Sequence, residues 1–159
     1  MPLIRIETII NASVEICFDL SRSIDLHKLS TAQTNEKAIA GVTSGLIGMN
    51  ETVAWKARHF GINQKLTTVI TEFEKPNFFV DEMKKGAFKR FCHMHKFIPM
   101  DSHTKMIDEF DYDSPFGIVG RIFDRIVLKD YMENLLHKRN SVIKDFAETE
   151  KWKTVLLNN

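Results

Sequence analysis

Two histidines, His93 and His95, stand two residues apart in the run Phe91-Cys92-His93-Met94-His95-Lys96-Phe97. On an extended strand alternate side chains share a face, so both imidazoles point the same way, together with Phe91 and Phe97. His59 lies on a neighbouring part of the chain, His103 opens the following strand, and Asp108 or Glu109 is placed to come alongside by cross-strand pairing. Imidazoles beside a carboxylate exchange protons as general acid and base. The same groups bind zinc or iron. They also occur on ordinary sheets, hydrogen-bonded or anchoring the polar head of a ligand. No HExxH or CxxC accompanies the pair, so no metal and no cofactor is expected. His93 and His95 are the candidate catalytic residues if the chain is an enzyme. There is no nucleophile elbow, no P-loop and no GxGxxG.

Other chemistry-bearing residues weigh less. Trp55 and His59 alternate onto one face of a strand and Arg58 onto the other, so the three cannot line one pocket. Asp81 and Glu82 face opposite ways for the same reason. Asp111 and Asp113, just before Ser114-Pro115, read as turn and helix-entry residues near the positive end of a helix dipole. Arg121, Arg125 and Lys129, spaced by four, read as a solvated helix face.

The elements that position these residues follow from periodicity. Leu3 to Ile10 alternates as a strand. Asn11 or Ser13 can cap a helix whose apolar stripe is Val14, Cys17, Phe18 and Leu20. Ser21 and Ser23 interrupt it, and Ile24 to Leu29 forms a second short helical turn. Strands are expected at Thr34–Ile39, Met49–Phe60, Gln64–Phe73, Phe78–Met83, Ala87–Pro99 and His103–Tyr112. Turn signals separate them: three glycines between Gly41 and Gly48, then Gly61, Pro76-Asn77, Lys84-Lys85-Gly86 and Asp101-Ser102. From Ser114 to Trp152 apolar residues recur at helical spacing, among them Ile118, Ile122, Ile126, Met132, Leu136 and Ile143. That predicts one amphipathic helix of about thirty residues. Gly117 and Gly120 near its start allow another backbone or a ligand to approach closely.

Composition bounds the function. A length of 159 residues suits one domain, 1–159, with a real core. A formal net charge of +1 gives no electrostatic reason to expect nucleic acid. No apolar run approaches the roughly 20 residues that span a bilayer, so no integral membrane segment is expected. The N-terminus lacks the order of a secretory signal. Cys17 and Cys92 sit in apolar patterns and read as free thiols, which fits the cytoplasm. The residues leave the oligomeric state open between monomer and dimer. Leu157 to Asn159 is the one expected loose end.

The order strand, two short helices, meander and long C-terminal helix resembles the helix-grip fold of the SRPBCC superfamily. That superfamily includes the START domains, the birch-pollen-allergen family and the polyketide cyclase/dehydrase-like proteins. The likeness is carried by Trp55-Lys56-Ala57-Arg58-His59-Phe60-Gly61, Gly86-Ala87-Phe88, His93-Met94-His95-Lys96-Phe97, and Pro115-Phe116-Gly117 to Arg139. It is nearest a bacterial ligand-binding, "cell division inhibitor"-like branch. The resemblance implies an α+β fold, with a curved antiparallel sheet of six to seven strands wrapped around the long helix. It also implies an interior cavity for a small hydrophobic or amphipathic molecule, held by a non-catalytic carrier or sensor. Candidate lining residues are Trp55, His59, Phe79, His93, His95 and Phe110 on strands, with Ile118, Ile122 and Ile126 on the helix. Two alternatives stay open: a cyclase, hydratase or isomerase using His93 and His95 as acid and base, and a protein-interaction module.

Overall fold

A computed structural model describes residues 2–115 and 117–158, with the backbone alone at residues 121, 124 and 125. The first strand, β1 (Leu3–Ile10), buries Ile4, Ile6 and Ile10 in alternation. Ser13 then caps α1 (Val14–Ser21): its hydroxyl accepts a hydrogen bond from the Ile16 N–H, one of the free donors at a helix start. Ser23 repeats the device for α2 (Ile24–Ser30), accepting from the Leu26 N–H. The break between the helices is therefore itself a cap. A 3₁₀ turn over Ala32–Thr34 and a left-handed Asn35 (φ 51°) follow. They use up Thr34 and delay β2 to Lys37–Gly41, later than the expected Thr34–Ile39.

Five strands then run as a meander: β3 (Thr52–His59), β4 (Ile62–Glu74), β5 (Phe78–Lys85), β6 (Arg90–Met100) and β7 (His103–Asp113). The seven strands form one curved antiparallel sheet in the order β1-β7-β6-β5-β4-β3-β2. Register shifts in β2 and β4 mark bulges, which bend a strand. Asp111 and Asp113 belong to β7 and pair with Arg90 at 2.8 and 3.2 Å, so they are strand residues and not helix-entry residues.

The C-terminal helix departs from the expected single rod. It comprises α3 (Gly117–Phe123), a π-helical turn (Asp124–Leu128), α4 (Lys129–Glu148) and a short α5 (Trp152–Leu156). The π turn carries one extra residue, which rotates α3 by about 100° relative to a continuous helix of 3.6 residues per turn. Gly120 is required where the chain turns in: a Cβ there would fall 1.7 Å from the Pro115 carbonyl oxygen. The side chains of Arg121 and Arg125, and Phe116 and Asn159 entirely, lie outside the described residues.

The main core forms where α1, α2, α4 and α5 meet the sheet. Phe18 is its centre, meeting Phe73, Phe79 and Phe97 edge-on with ring centroids 5.3, 5.5 and 5.4 Å away. A second cluster gathers Ile4, Phe91, Phe110, Tyr112, Leu128 and Leu136. Between the sheet and α4 the packing is incomplete.

Candidate functional site

That incompleteness is a cavity of about 870 Å³, within the range of small-molecule sites. Its walls are mainly apolar: Val53, Trp55 and Ala57 on β3, Leu66 and Ile70 on β4, Phe110 on β7, and Met132, Leu135 and Leu136 on α4. Phe60, Ile62, Ala87, Val119 and Phe123 also line it and are exposed, so they mark its open side.

Polar side chains cluster at two places along the cavity. The first is the floor. β5, β6 and β7 pair so that Asp81 faces His93, Phe79 faces His95, His93 faces Phe110 and His95 faces Asp108. His93 Nε2 donates to Asp108 Oδ1 at 2.9 Å. His95 Nδ1 lies 2.9 Å from the same oxygen, but the contact does not meet hydrogen-bond geometry, and this buried nitrogen has no aligned hydrogen-bond partner among the described residues. The His95 ring stacks on Phe79, with centroids 4.3 Å apart. Asp108 Oδ2 accepts from Asn140 Nδ2 at 2.7 Å, and Arg139 Nη1 is 3.5 Å from Oδ1. Arg139 also donates to the Ser21 carbonyl at 2.9 Å and to Asn140 Oδ1 at 3.3 Å. Asp81 Oδ1 is enclosed with no hydrogen-bond partner among the described residues.

Burial sets the electrostatics of this floor. It would raise the Asp108 carboxyl, but the close His93 and His95 rings outweigh it and hold the group well below the usual carboxylate range. Burial, then the neighbouring His93, holds His95 well below its ordinary value and therefore neutral. Burial pushes the Asp81 carboxyl up, against the opposing Thr68 hydroxyl and His93. Burial lowers the Arg139 guanidinium, against Asp108 and Asp81. An ionised carboxylate only accepts, so His93 Nε2 carries its ring proton.

The second polar place joins α2, β3 and α4. His27 Nε2 and Glu36 Oε2 are 2.6 Å apart, Glu36 Oε1 and His59 Nε2 3.7 Å, and His59 Nδ1 and the Tyr131 hydroxyl 2.8 Å. Trp55 lies against His27 with centroids 4.3 Å apart and the ring planes tilted by 33°. Burial would raise Glu36, but the hydrogen bond with His27 prevails and its carboxyl is lowered. Burial lowers His59, partly offset by Glu36, and raises Tyr131.

Of the residues singled out in the sequence, Trp55, His59, Phe79, His93, His95 and Phe110 lie on the cavity wall. Ile118, Ile122 and Ile126 do not: they are 76%, 57% and 67% exposed. The π turn rotates them outward, and Val119, Gly120 and Phe123 take their place. Arg58 projects from the exposed face of β3, as alternation requires. His103 pairs with Met100 near the β6–β7 hairpin and is not among the lining residues. Sequence reasoning missed His27, Glu36, Tyr131, Arg139 and Asn140. The last two had a signal: Leu136, Arg139, Asn140 and Ile143 fall on one helical face, so a charge and an amide sit in the buried stripe. Cys17 is buried and Cys92 half-buried, both as free thiols, and burial pushes Cys17 up to about 11.

No protein-family model and no curated protein matches the chain in sequence. Solved structures do match in fold. The protein TTHA0849 from Thermus thermophilus aligns with a TM-score of 0.70 at 20% identity, over 89% of this chain and 97% of that one. A START superfamily protein from Mycobacterium smegmatis aligns with a TM-score of 0.69 at 10% identity, over 91% and 98%. Major latex-like protein 151 from Panax ginseng aligns with a TM-score of 0.68 at 11% identity, over 93% and 98%. At these identities the likeness is one of fold: the chain has the helix-grip architecture of START and birch-pollen-allergen-like proteins. No described helix is long and apolar enough to cross a membrane.

Proposed function

We propose that this chain is a non-catalytic carrier or sensor that holds one small hydrophobic or amphipathic molecule between its sheet and its C-terminal helix. The observation that carries the reading is the cavity of about 870 Å³, apolar on most of its wall and polar at two places. Apolar burial would supply the affinity, at roughly 25 cal/mol per Å² before the costs of association. The polar groups would orient the ligand. The neighbours named as START and latex-like proteins support a binding fold and no particular ligand. The free thiols Cys17 and Cys92 fit a reducing compartment such as the cytoplasm.

Ala57 is buried on the cavity wall, so Ala57→Trp fills the space, whereas Ile122→Trp adds the same ring on the exposed side of α3. With 1-anilinonaphthalene-8-sulfonate as probe, Ala57→Trp is expected to weaken binding at least about tenfold, or 1.4 kcal/mol. Ile122→Trp is expected to leave it unchanged. Equal binding by both variants would contradict a cavity site.

The second reading is a proton-transfer enzyme of cyclase or isomerase type. One arrangement favours it: a buried carboxylate, Asp108, fixes the tautomer of His93 beside Asp81, whose Oδ1 has no hydrogen-bond partner among the described residues. Under that reading His93→Gln abolishes turnover while ligand loading persists.

A further inference from the structure

We propose that His93, His95 and Asp108 form a binding site for one first-row divalent cation in the floor of the cavity, with its open coordination positions facing the cavity. The three side chains are buried, and one donor atom from each lies within 4.8 Å of the other two. The strand pairing creates this grouping: His93 and His95 share the inner face of β6, and Asp108 stands opposite His95 on β7.

The distances match a shared ion. His93 Nε2 and His95 Nδ1 each lie 2.9 Å from Asp108 Oδ1. Nitrogen and oxygen donors bind such cations at about 2.1 Å, and at right angles around the ion neighbouring donors then stand about 3.0 Å apart. Two edges of an octahedral face made by two imidazoles and one carboxylate have this spacing, and the third donor pair lies within 4.8 Å.

The orientation of His95 is the second, independent observation. A buried nitrogen 2.9 Å from a carboxylate oxygen ordinarily makes a hydrogen bond, and this one does not. His95 Nδ1 is therefore not committed to Asp108 in the way that His93 Nε2 is, and a cation between the three groups would take it. The outer partners also suit a site of this kind. Asn140 holds Asp108 Oδ2 at 2.7 Å, which leaves Oδ1 for the ion and fixes the carboxylate plane. On binding, the His93 proton moves from Nε2 to Nδ1 through solvent, and Nε2 becomes a ligand.

Arg139 is the group that opposes a cation here, with Nη1 3.5 Å from Asp108 Oδ1. Its shorter contacts run elsewhere, to the Ser21 carbonyl at 2.9 Å and Asn140 Oδ1 at 3.3 Å, so it keeps partners when the ion takes Oδ1. The Asp81 carboxyl stands opposite His93 in the β5–β6 register, where a bound cation would favour its ionised form. Because His93 and His95 line the cavity and Asp108 does not, the protein ligands occupy one side of the ion. Water or a donor atom of a bound organic molecule takes the other.

The test uses the full chain, stripped with EDTA and titrated with Zn²⁺ by calorimetry and with Co²⁺ by visible absorption. One Zn²⁺ per chain and Co²⁺ d–d bands from nitrogen and oxygen ligation are expected. His95→Phe keeps a ring against Phe79 and is expected to weaken Zn²⁺ at least about 100-fold, since it removes a ligand outright where an outer partner alone costs about 10–100-fold. His103→Gln, outside the cluster, is expected to change nothing. Should His95→Phe fail to fold, the wild-type imidazole resonances decide: Zn²⁺ is expected to shift those of His93 and His95 and leave that of His103 in place. Absence of saturable binding, or binding that survives His95→Phe, or shifts confined to other histidines, would overturn the proposal. The titration needs no organic ligand, so its outcome is independent of what fills the apolar part of the cavity.

Discussion

Asp108 and Arg139 are both buried and lie on different elements, so each depends on the other and on a few neutral partners. Removing one member of a buried ion pair strands the other, a loss of about 3–5 kcal/mol. Arg139→Met is therefore expected to lower the urea midpoint by an amount equivalent to about 3–5 kcal/mol, far more than loss of an exposed pair such as Arg5–Glu109. An effect below about 1 kcal/mol would show that the pair contributes nothing net. His59 gives a pH signature with a definite sign. Its folded pKa lies below the ordinary 6.5, so beneath that pH the unfolded chain takes up a proton that the native site refuses. Stability present above about pH 6.5 is lost as pH falls toward the folded value. Glu36, lowered from 4.5, has the same sign and acts in the lower window beneath that value. Urea midpoints measured at stepped pH are expected to fall from about pH 6.5 downward, and His59→Asn to make the first part of that decline shallower. His95 has the same sign, so part of the decline persists in that variant. A profile identical to wild type would mean that His59 carries none of it.

At the scale of elements, strands were legible because alternation and turn residues coincide. Val53, Trp55, Ala57 and His59 were placed together by period alone and do share the inner face of β3. The pairing of His95 with Asp108 was one of two options, and the β6–β7 register selected Asp108 over Glu109. The Glu36–His59 contact was hidden because it joins a residue before β2 to the end of β3, and nothing in local spacing links them. The helix failed in a specific way. Ile118 and Ile122 stand fourteen residues before Met132 and Leu136, within about 40° of the same face of a continuous helix, so period analysis puts them in phase. One extra residue in the π turn breaks that phase, and no propensity rule marks it. Deleting Ile126 removes that extra residue and is expected to leave a continuous helix with α3 facing as before, because the segments on either side of the turn keep their orientation. In a Cys92→Ser background, Ile122→Cys is therefore expected to react rapidly with maleimide both in the parent and after the deletion. A reaction at least about tenfold slower after the deletion, an added barrier of about 1.4 kcal/mol, would contradict this account of the turn.

For the molecule as a whole, a curved sheet closed by one long helix cannot fill its own interior with side chains of this length. Phe18, Phe73, Phe79 and Phe97 fill the region under α1. Toward α3 the wall residues stop short of one another and the cavity opens between Phe60, Ile62 and Phe123. The central claim is that this space is meant to be occupied. Native mass spectrometry of the protein purified from its own host, followed by organic extraction, tests it most directly. The account predicts a defined apolar or amphipathic molecule retained near one per chain, and its loss in Ala57→Trp. A protein that is empty as isolated, and that also takes up no member of a panel of lipids and aromatic compounds, would contradict it.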